Sequence, residues 1–324
     1  MHPEAGTTHM VSQGSPIEAS GAVLAAMAVI SLTDSLVVTI TGHAGLWQFH
    51  LLRALCALPL IALAARLARL RLRPLAPAAV ALRSLLLSGA MLFYFGALAF
   101  MPVAEAAAGL FTAPIFVVVI SAFAFGVRPG WRRIGAIVLG FSGVLLVLRP
   151  ELGGGSAARF MPLAAALLYA LSAIVTRRLC HRESTPALLA GFFAAMAAWG
   201  ALGCGLLALL APPVPEGPAG FLLRAWGPTD AGLLLRIAGL ALGAVIGVGL
   251  ITRAYLLAET SLVAGLEYSM LVFAAFWGWL LWGQVPGLLE AAGMTLILCS
   301  GALLTLSARR AELRDAAVPA EAAP

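Results

Sequence analysis

Few side chains in this sequence could do chemistry, and those few stand inside long apolar runs. Asp34 and Arg53 fall in the first two runs, with His50 one turn from Arg53, while Arg253 and Glu267 fall in two of the last. A charge in hydrocarbon costs several kcal/mol, so such a group implies a partner, a wet path or a charged solute. A carboxylate there could carry a proton, and an arginine could hold a carboxylate or phosphate. Tyr94, Tyr169, Tyr255 and Tyr268 add phenols, which need hydrogen-bond partners when buried. The same charges could equally be structural ion pairs, and Arg253 suits snorkelling to headgroups. His50 lies close to an expected interface, which argues against a proton role. No HExxH, GxSxG or Asp pair supplies a catalytic centre, so the chain reads as no enzyme. Gly153 to Gly155 lacks the Walker pattern, and Cys56, Cys180, Cys204 and Cys299 have no CxxC or metal spacing, so neither cofactor nor metal is expected.

The elements that position these residues follow from composition. Of 324 residues, 62% are hydrophobic and 10% charged, far outside soluble composition. Runs of about twenty apolar residues, enough to cross a ~30 Å hydrocarbon core, recur from Gly21 to Thr305. They lack the alternation of a transmembrane barrel. The fold class is therefore an all-α polytopic membrane protein, with ten spans at about 20–42, 46–65, 80–100, 103–125, 132–149, 159–177, 187–211, 233–257, 261–282 and 287–307. In this frame Asp34 and Arg53 both lie about 10 to 12 Å below one boundary, and Arg253 and Glu267 roughly 6 to 9 Å from the other. Matched depth predicts that Asp34 approaches Arg53 and Glu267 approaches Arg253, or that each lines one aqueous cavity.

Net charge is +6, and all twenty basic residues are arginine, scattered at run ends where a nucleic-acid site would need a patch. With the N-terminus cytoplasmic, fourteen of them fall in inner loops and the C-terminal tail, against only Arg149, Arg159 and Arg224 outside. Both termini are thus expected inside the cell.

The chain also repeats itself. Ala108-Gly109-Leu110 corresponds to Ala264-Gly265-Leu266, Pro129-Gly130 to Pro286-Gly287, and Ser142-Gly143 to Ser300-Gly301, in order across some fifty positions. Five spans per half is an odd number, so the second half enters the membrane inverted. The expected plan is a tail at 1–19, a first repeat at 20–149, a linker at 150–158, a second repeat at 159–307 and a tail at 308–324. Gly239, Gly243 and Gly247, spaced by four, open one helix face to close approach. Pro114, a few residues after Gly109, is expected mid-helix, where it removes a backbone donor and kinks the axis. Phe221 to Trp226 reads as a short interfacial helix in the longest loop, and Trp47, Trp277, Trp279 and Trp282 as interfacial anchors.

Ten spans in two inverted fives, an arginine after Trp47-Gln48-Phe49, and Met101-Pro102-Val103-Ala104 in the run to Pro114 resemble the drug/metabolite transporter superfamily, and within it proteins with two EamA-type domains. Asp34 matches the acid often seen in the first span of that family, although Gly126-Val127 and Gly283-Gln284 stand where Gly-Glu is usual. The resemblance implies a central cavity and secondary transport of a small organic solute across the inner membrane by alternating access. Export of an amino acid or related metabolite is the leading expectation, with uptake of a metabolite such as S-adenosylmethionine, a non-transporting membrane scaffold, or an intramembrane enzyme, as alternatives. Asp34, Arg53, Tyr94, Tyr169, Arg253, Tyr255, Glu267 and Tyr268 are the candidate pathway residues. Solute and lipid are the expected partners.

Overall fold

A computed structural model describes residues 16–125, 131–148, 157–180, 182–257, 263 and 266–316. All regular structure among these residues is helical. The helices are α1 (Pro16–Leu36), α2 (Val38–Thr41), α3 (Leu46–Leu67), α4 (Pro77–Ala97), α5 (Val103–Leu110), α6 (Ala113–Phe125), α7 (Trp131–Leu148), α8 (Met161–Leu179), α9 (Thr185–Leu210), α10 (Pro218–Leu223), α11 (Ala231–Leu257), α12 (Met270–Trp282) and α13 (Leu288–Ala316). A single 3-10 turn, Ala157–Phe160, leads into α8. Seven segments among the described residues are long and apolar enough to cross a membrane, and three shorter apolar helices accompany them. Large apolar side chains point outward, among them Phe123 at 89% exposure and Leu209 at 82%. Such a surface is stable against lipid tails and would aggregate in water.

The first helix starts at Pro16, four residues before the expected span, because proline at a helix start gives up an N–H that has no partner there anyway. The fourth span corrects the sequence expectation. It is two helices, α5 and α6, with the break at Phe111 and Thr112, so Pro114 sits in the first turn of α6 and not mid-helix. The reason is local: proline at 114 has no N–H for the Leu110 carbonyl, and its ring would press on that carbonyl, so α5 ends at Leu110. Thr112 Oγ1 bonds back to the Gly109 carbonyl at 2.7 Å and takes up part of the freed backbone.

Four helix pairs make the bundle, α1 with α11, α3 with α9, α4 with α8, and α7 with α13. Each pair is antiparallel. Thr33 meets Gly243 while Ile30 meets Gly247, and Trp47 meets Gly203 while Leu51 meets Gly200. Gly96 meets Met161 while Arg83 reaches Thr176, and Ala136 accepts from Ser300 Oγ while Gly143 meets Gly293. Glycine and alanine dominate the contact lines, for lipid supplies no hydrophobic drive between helices and close backbone packing has to supply the attraction instead. A Cβ on Gly143 would stand 2.6 Å from the Gly293 carbonyl oxygen, so these two helices touch backbone to backbone. Gly109 likewise lies against Pro162 of α8, whereas Gly239 has no neighbour within 4 Å beyond its own helix. The buried core runs through Val23, Ala26, Ala107, Ala108, Val144 and Leu271 at one region and Ile40, Phe49, Tyr94, Phe95 and Ile237 at another.

Candidate functional site

The second of these core regions carries charge. Tyr94 of α4 donates its hydroxyl to Asp34 Oδ2 of α1 at 2.9 Å, and the two residues are only 2% and 6% exposed. Arg53 of α3 lies within electrostatic reach of Asp34, and its guanidinium carbon stands 4.8 Å from the Phe95 ring centroid and 5.6 Å from that of Phe49. The two rings stand 5.6 Å from each other and meet the cation on one flank, where their quadrupoles attract it. The Nε of Arg53 is buried with no hydrogen-bond partner. His50, 1% exposed, packs edge-on to Phe95 at 5.2 Å and also leaves Nε2 without a partner. One acid, one phenol, one imidazole and one guanidinium thus stand buried among apolar rings, a set of groups whose chemistry suits holding a charge or passing a proton.

The helices place these side chains by simple register. Asp34 lies near the C-terminal end of α1, Arg53 two turns into α3, and Tyr94 in the last turn of α4, and the Tyr94 to Asp34 bond and the Arg53 to Phe95 contact bring the three together. The expected approach of Asp34 to Arg53 takes the form of proximity through Tyr94 and Phe95.

The other candidates gather elsewhere. Glu267 and Tyr169 of α8 lie within electrostatic reach of each other, and the buried Tyr268 stacks on Phe111 at 5.1 Å and against Gly301. Tyr169 itself is 41% exposed. The side chains of Arg253, Tyr255 and Pro114 lie outside the described residues, as do Val127 and Glu259 entirely. The Arg253 to Glu267 approach therefore stays with the sequence.

Several polar residues that sequence reading passed over organise the ends of the bundle. Gln48, fully buried, donates Nε2 to the Gly227 carbonyl at 3.2 Å and to Thr229 Oγ1 at 2.9 Å, and accepts from Gly227 N at 2.8 Å. Arg224 donates Nη1 to the carbonyls of Thr41, Gly42 and Ala44 at 3.1 to 3.4 Å. Helix α10 is thereby docked onto the end of the bundle, with Phe221 fully buried. Trp47, Trp277 and Trp282 donate their indole N–H to the backbone carbonyls of Leu222, Ala28 and Ser35, so they tie helices together instead of facing headgroups alone. A glutamine inside an apolar run was the one signal for this knot. At the other end, Glu183 accepts from Leu75 N at 2.8 Å and Ala76 N at 2.6 Å, and Arg83 of α4 donates to the Leu188 carbonyl at 3.0 Å.

A shallow cleft opens between Pro102, Ala104, Glu105, Gly278, the Gln284 to Pro286 turn and Glu290. No group of three or more His, Cys, Asp or Glu suited to a metal occurs among the described residues.

Comparison with known proteins agrees with this architecture. Residues 17–149 match the EamA-like transporter family. The chain is 30% identical over 205 residues to the pseudopaline exporter of Pseudomonas aeruginosa, an alignment covering 63% of this chain and 66% of that protein, just under two thirds. It is 28% identical to a riboflavin transporter of Rhizobium johnstonii over 223 residues, 68% of this chain and 67% of that one. A protein of known crystal structure superposes with a TM-score of 0.59 at 25% identity, covering 90% of this chain and 99% of the other.

Proposed function

We propose, from the match of residues 17–149 to the EamA-like transporter family, that the chain is a member of it and a secondary transporter carrying a small organic metabolite across the cytoplasmic membrane by alternating access. The observation that carries the reading is the buried cluster of Asp34, Arg53, Tyr94 and His50. A purely structural core would not leave the nitrogens of Arg53 and His50 buried without partners, at about 1–3 kcal/mol for each unsatisfied group. A solute passing through a closed state would find those donors ready. Asp34 is the coupling-proton candidate and Arg53 the anchor for an anionic group. Glu267, Tyr169, Tyr268, Arg253 and Tyr255 line the opposite part of the passage.

The passage forms between two inverted five-span repeats. Seven described segments are long and apolar enough to cross a membrane, and the reading counts the three shorter apolar helices as the remaining crossings. The packing supports this plan: exchanging each span with the one five places later carries the α1 and α11 pair onto α8 and α4. It also carries α11 with α3 onto α4 with α9, and α1 with α12 onto α8 with α6, and it returns α3 with α9 and α7 with α13 to themselves. The arginine bias puts both termini in the cytoplasm.

Export of an amino acid or a related compound is the favoured direction. The name of the pseudopaline exporter supports export, and the riboflavin transporter supports a small organic solute in general. The experiment is to compare metabolites inside and outside cells with and without overexpression, then to measure counterflow of the best candidate in proteoliposomes. Saturable counterflow that Arg53→Ala abolishes is the expected result. A protein that reconstitutes folded and moves none of the enriched metabolites would overturn the reading.

A further inference from the structure

Two polar knots tie loops together at opposite ends of the bundle. At the first, Arg224, Gln48 and Gly227 bind the turn after α2 to the segment before α11, and both Gly45 and Gly227 bring backbone against a carbonyl of the other segment with no room for a Cβ. Asp230 then caps α11, accepting from Leu233 N at 2.6 Å. The C-terminal end of α1–α2 and the N-terminal end of α11 are thus locked to the start of α3, where Trp47 in turn packs on Gly203 of α9. At the second, Glu183 holds the backbone of Leu75 and Ala76, and Ser184 Oγ donates to the Arg71 carbonyl. Helix α4 starts immediately after this knot and α8 ends immediately before it, so here α4 and α8 are locked to the other ends of α3 and α9. The exchange of halves that relates the helix pairs also relates the two knots.

We infer that the two knots are pivots: the α1–α11 pair swings about the Gln48 knot, the α4–α8 pair swings about the Glu183 knot, and α3–α9 is the frame that both share. A pair fixed at one end opens the bundle only at the other. Swinging α4–α8 about the Glu183 knot separates α4 from α1 at the Gln48 end, and the bond that breaks is the one from Tyr94 to Asp34. Swinging α1–α11 about the Gln48 knot opens the Glu183 end. A tilt of about 15° moves the far end of the 21-residue α4 by roughly 8 Å, wide enough for a metabolite. The knots suit this role because each is built from side-chain bonds to several backbone groups at once, which resist separation while the apolar faces between pairs can slide. Gln48, Arg224 and Glu183 act as positioning residues. The inference rests on the alternating-access reading above.

The test uses spin-label pairs on the full chain with its four cysteines replaced, in proteoliposomes, read by dipolar EPR without added solute. One pair bridges each knot, His43 with Pro228 and Arg73 with Arg182; one bridges each opposite end, Phe100 with Leu210 and Ile17 with Leu67. The expected result is a single narrow distance across each knot and a distribution at least twice as broad, or two-peaked, at each opposite end. Glu183→Ala should broaden the Arg73 to Arg182 distance and leave His43 to Pro228 unchanged. Knot distances as broad as those at the opposite ends, or four equally narrow distances, would overturn the inference. Since no solute is added, failure of the counterflow assay would sink the transport reading without altering this outcome.

Discussion

The bond from Tyr94 to Asp34 can be weighed by itself. Tyr94→Phe removes one oxygen and keeps the ring that packs edge-on to Phe95 at 5.4 Å, so neither cavity nor overpacking accompanies the change. What is lost is a 2.9 Å hydrogen bond to a carboxyl oxygen between residues 2% and 6% exposed. A bond to an ionised group contributes about 1.5–3 kcal/mol, and burial puts this one toward the upper part of that range. Single variants confuse the bond with desolvation of the group left behind, so the pair calls for a double-mutant cycle of Tyr94→Phe with Asp34→Asn. Reversible unfolding in mixed micelles, followed by circular dichroism, should give a coupling energy of about 2 kcal/mol, roughly a thirtyfold factor in the ratio of folded to unfolded protein. Additivity within about 0.5 kcal/mol would refute the account of this cluster as a single polar unit.

Other consequences follow from the same packing. Gln48→Leu leaves the Gly227 N–H and carbonyl buried without their partner and should lower stability by roughly 2 kcal/mol, seen as a lower Tm in detergent. Gly203→Val drives a side chain into the Trp47 ring and should destabilise by about 1–3 kcal/mol, whereas the same change at Gly239, which has no neighbour within 4 Å, should be nearly silent in the same assay. Asp34→Asn should abolish the response of counterflow to an imposed pH gradient while leaving solute exchange measurable; a retained response would remove Asp34 as the coupling site.

Much of this architecture was legible in the residues. Hydropathy alone marks the spans because lipid forces every crossing to satisfy its own backbone. The rarity of charge inside them singles out Asp34 and Arg53. Tyr94 could be named as a wall residue, yet its pairing with Asp34 required the crossing of α1 and α4, which periodicity does not encode. Pro114 was read as a kink because its position relative to Gly109 was visible and the helix ending at Leu110 was not. Arg224 and Glu183 were hidden for a different reason. Both stand in loops, where polar residues are ordinary, and their weight comes from backbone groups far along the chain that they happen to meet. The tryptophans show the same limit, since an indole at a span end suits a headgroup and a neighbouring carbonyl equally well.

The central claim, two halves threaded through the membrane in opposite senses, meets its most direct test at Trp131 and Leu288. These residues open α7 and α13, correspond to each other in the repeat, and are 78% and 87% exposed. Single cysteines at the two positions, in a cysteine-free chain in intact cells, are treated with a membrane-impermeant maleimide. The account predicts that Leu288→Cys reacts directly and Trp131→Cys only after permeabilisation; reaction of both from the same side would contradict it.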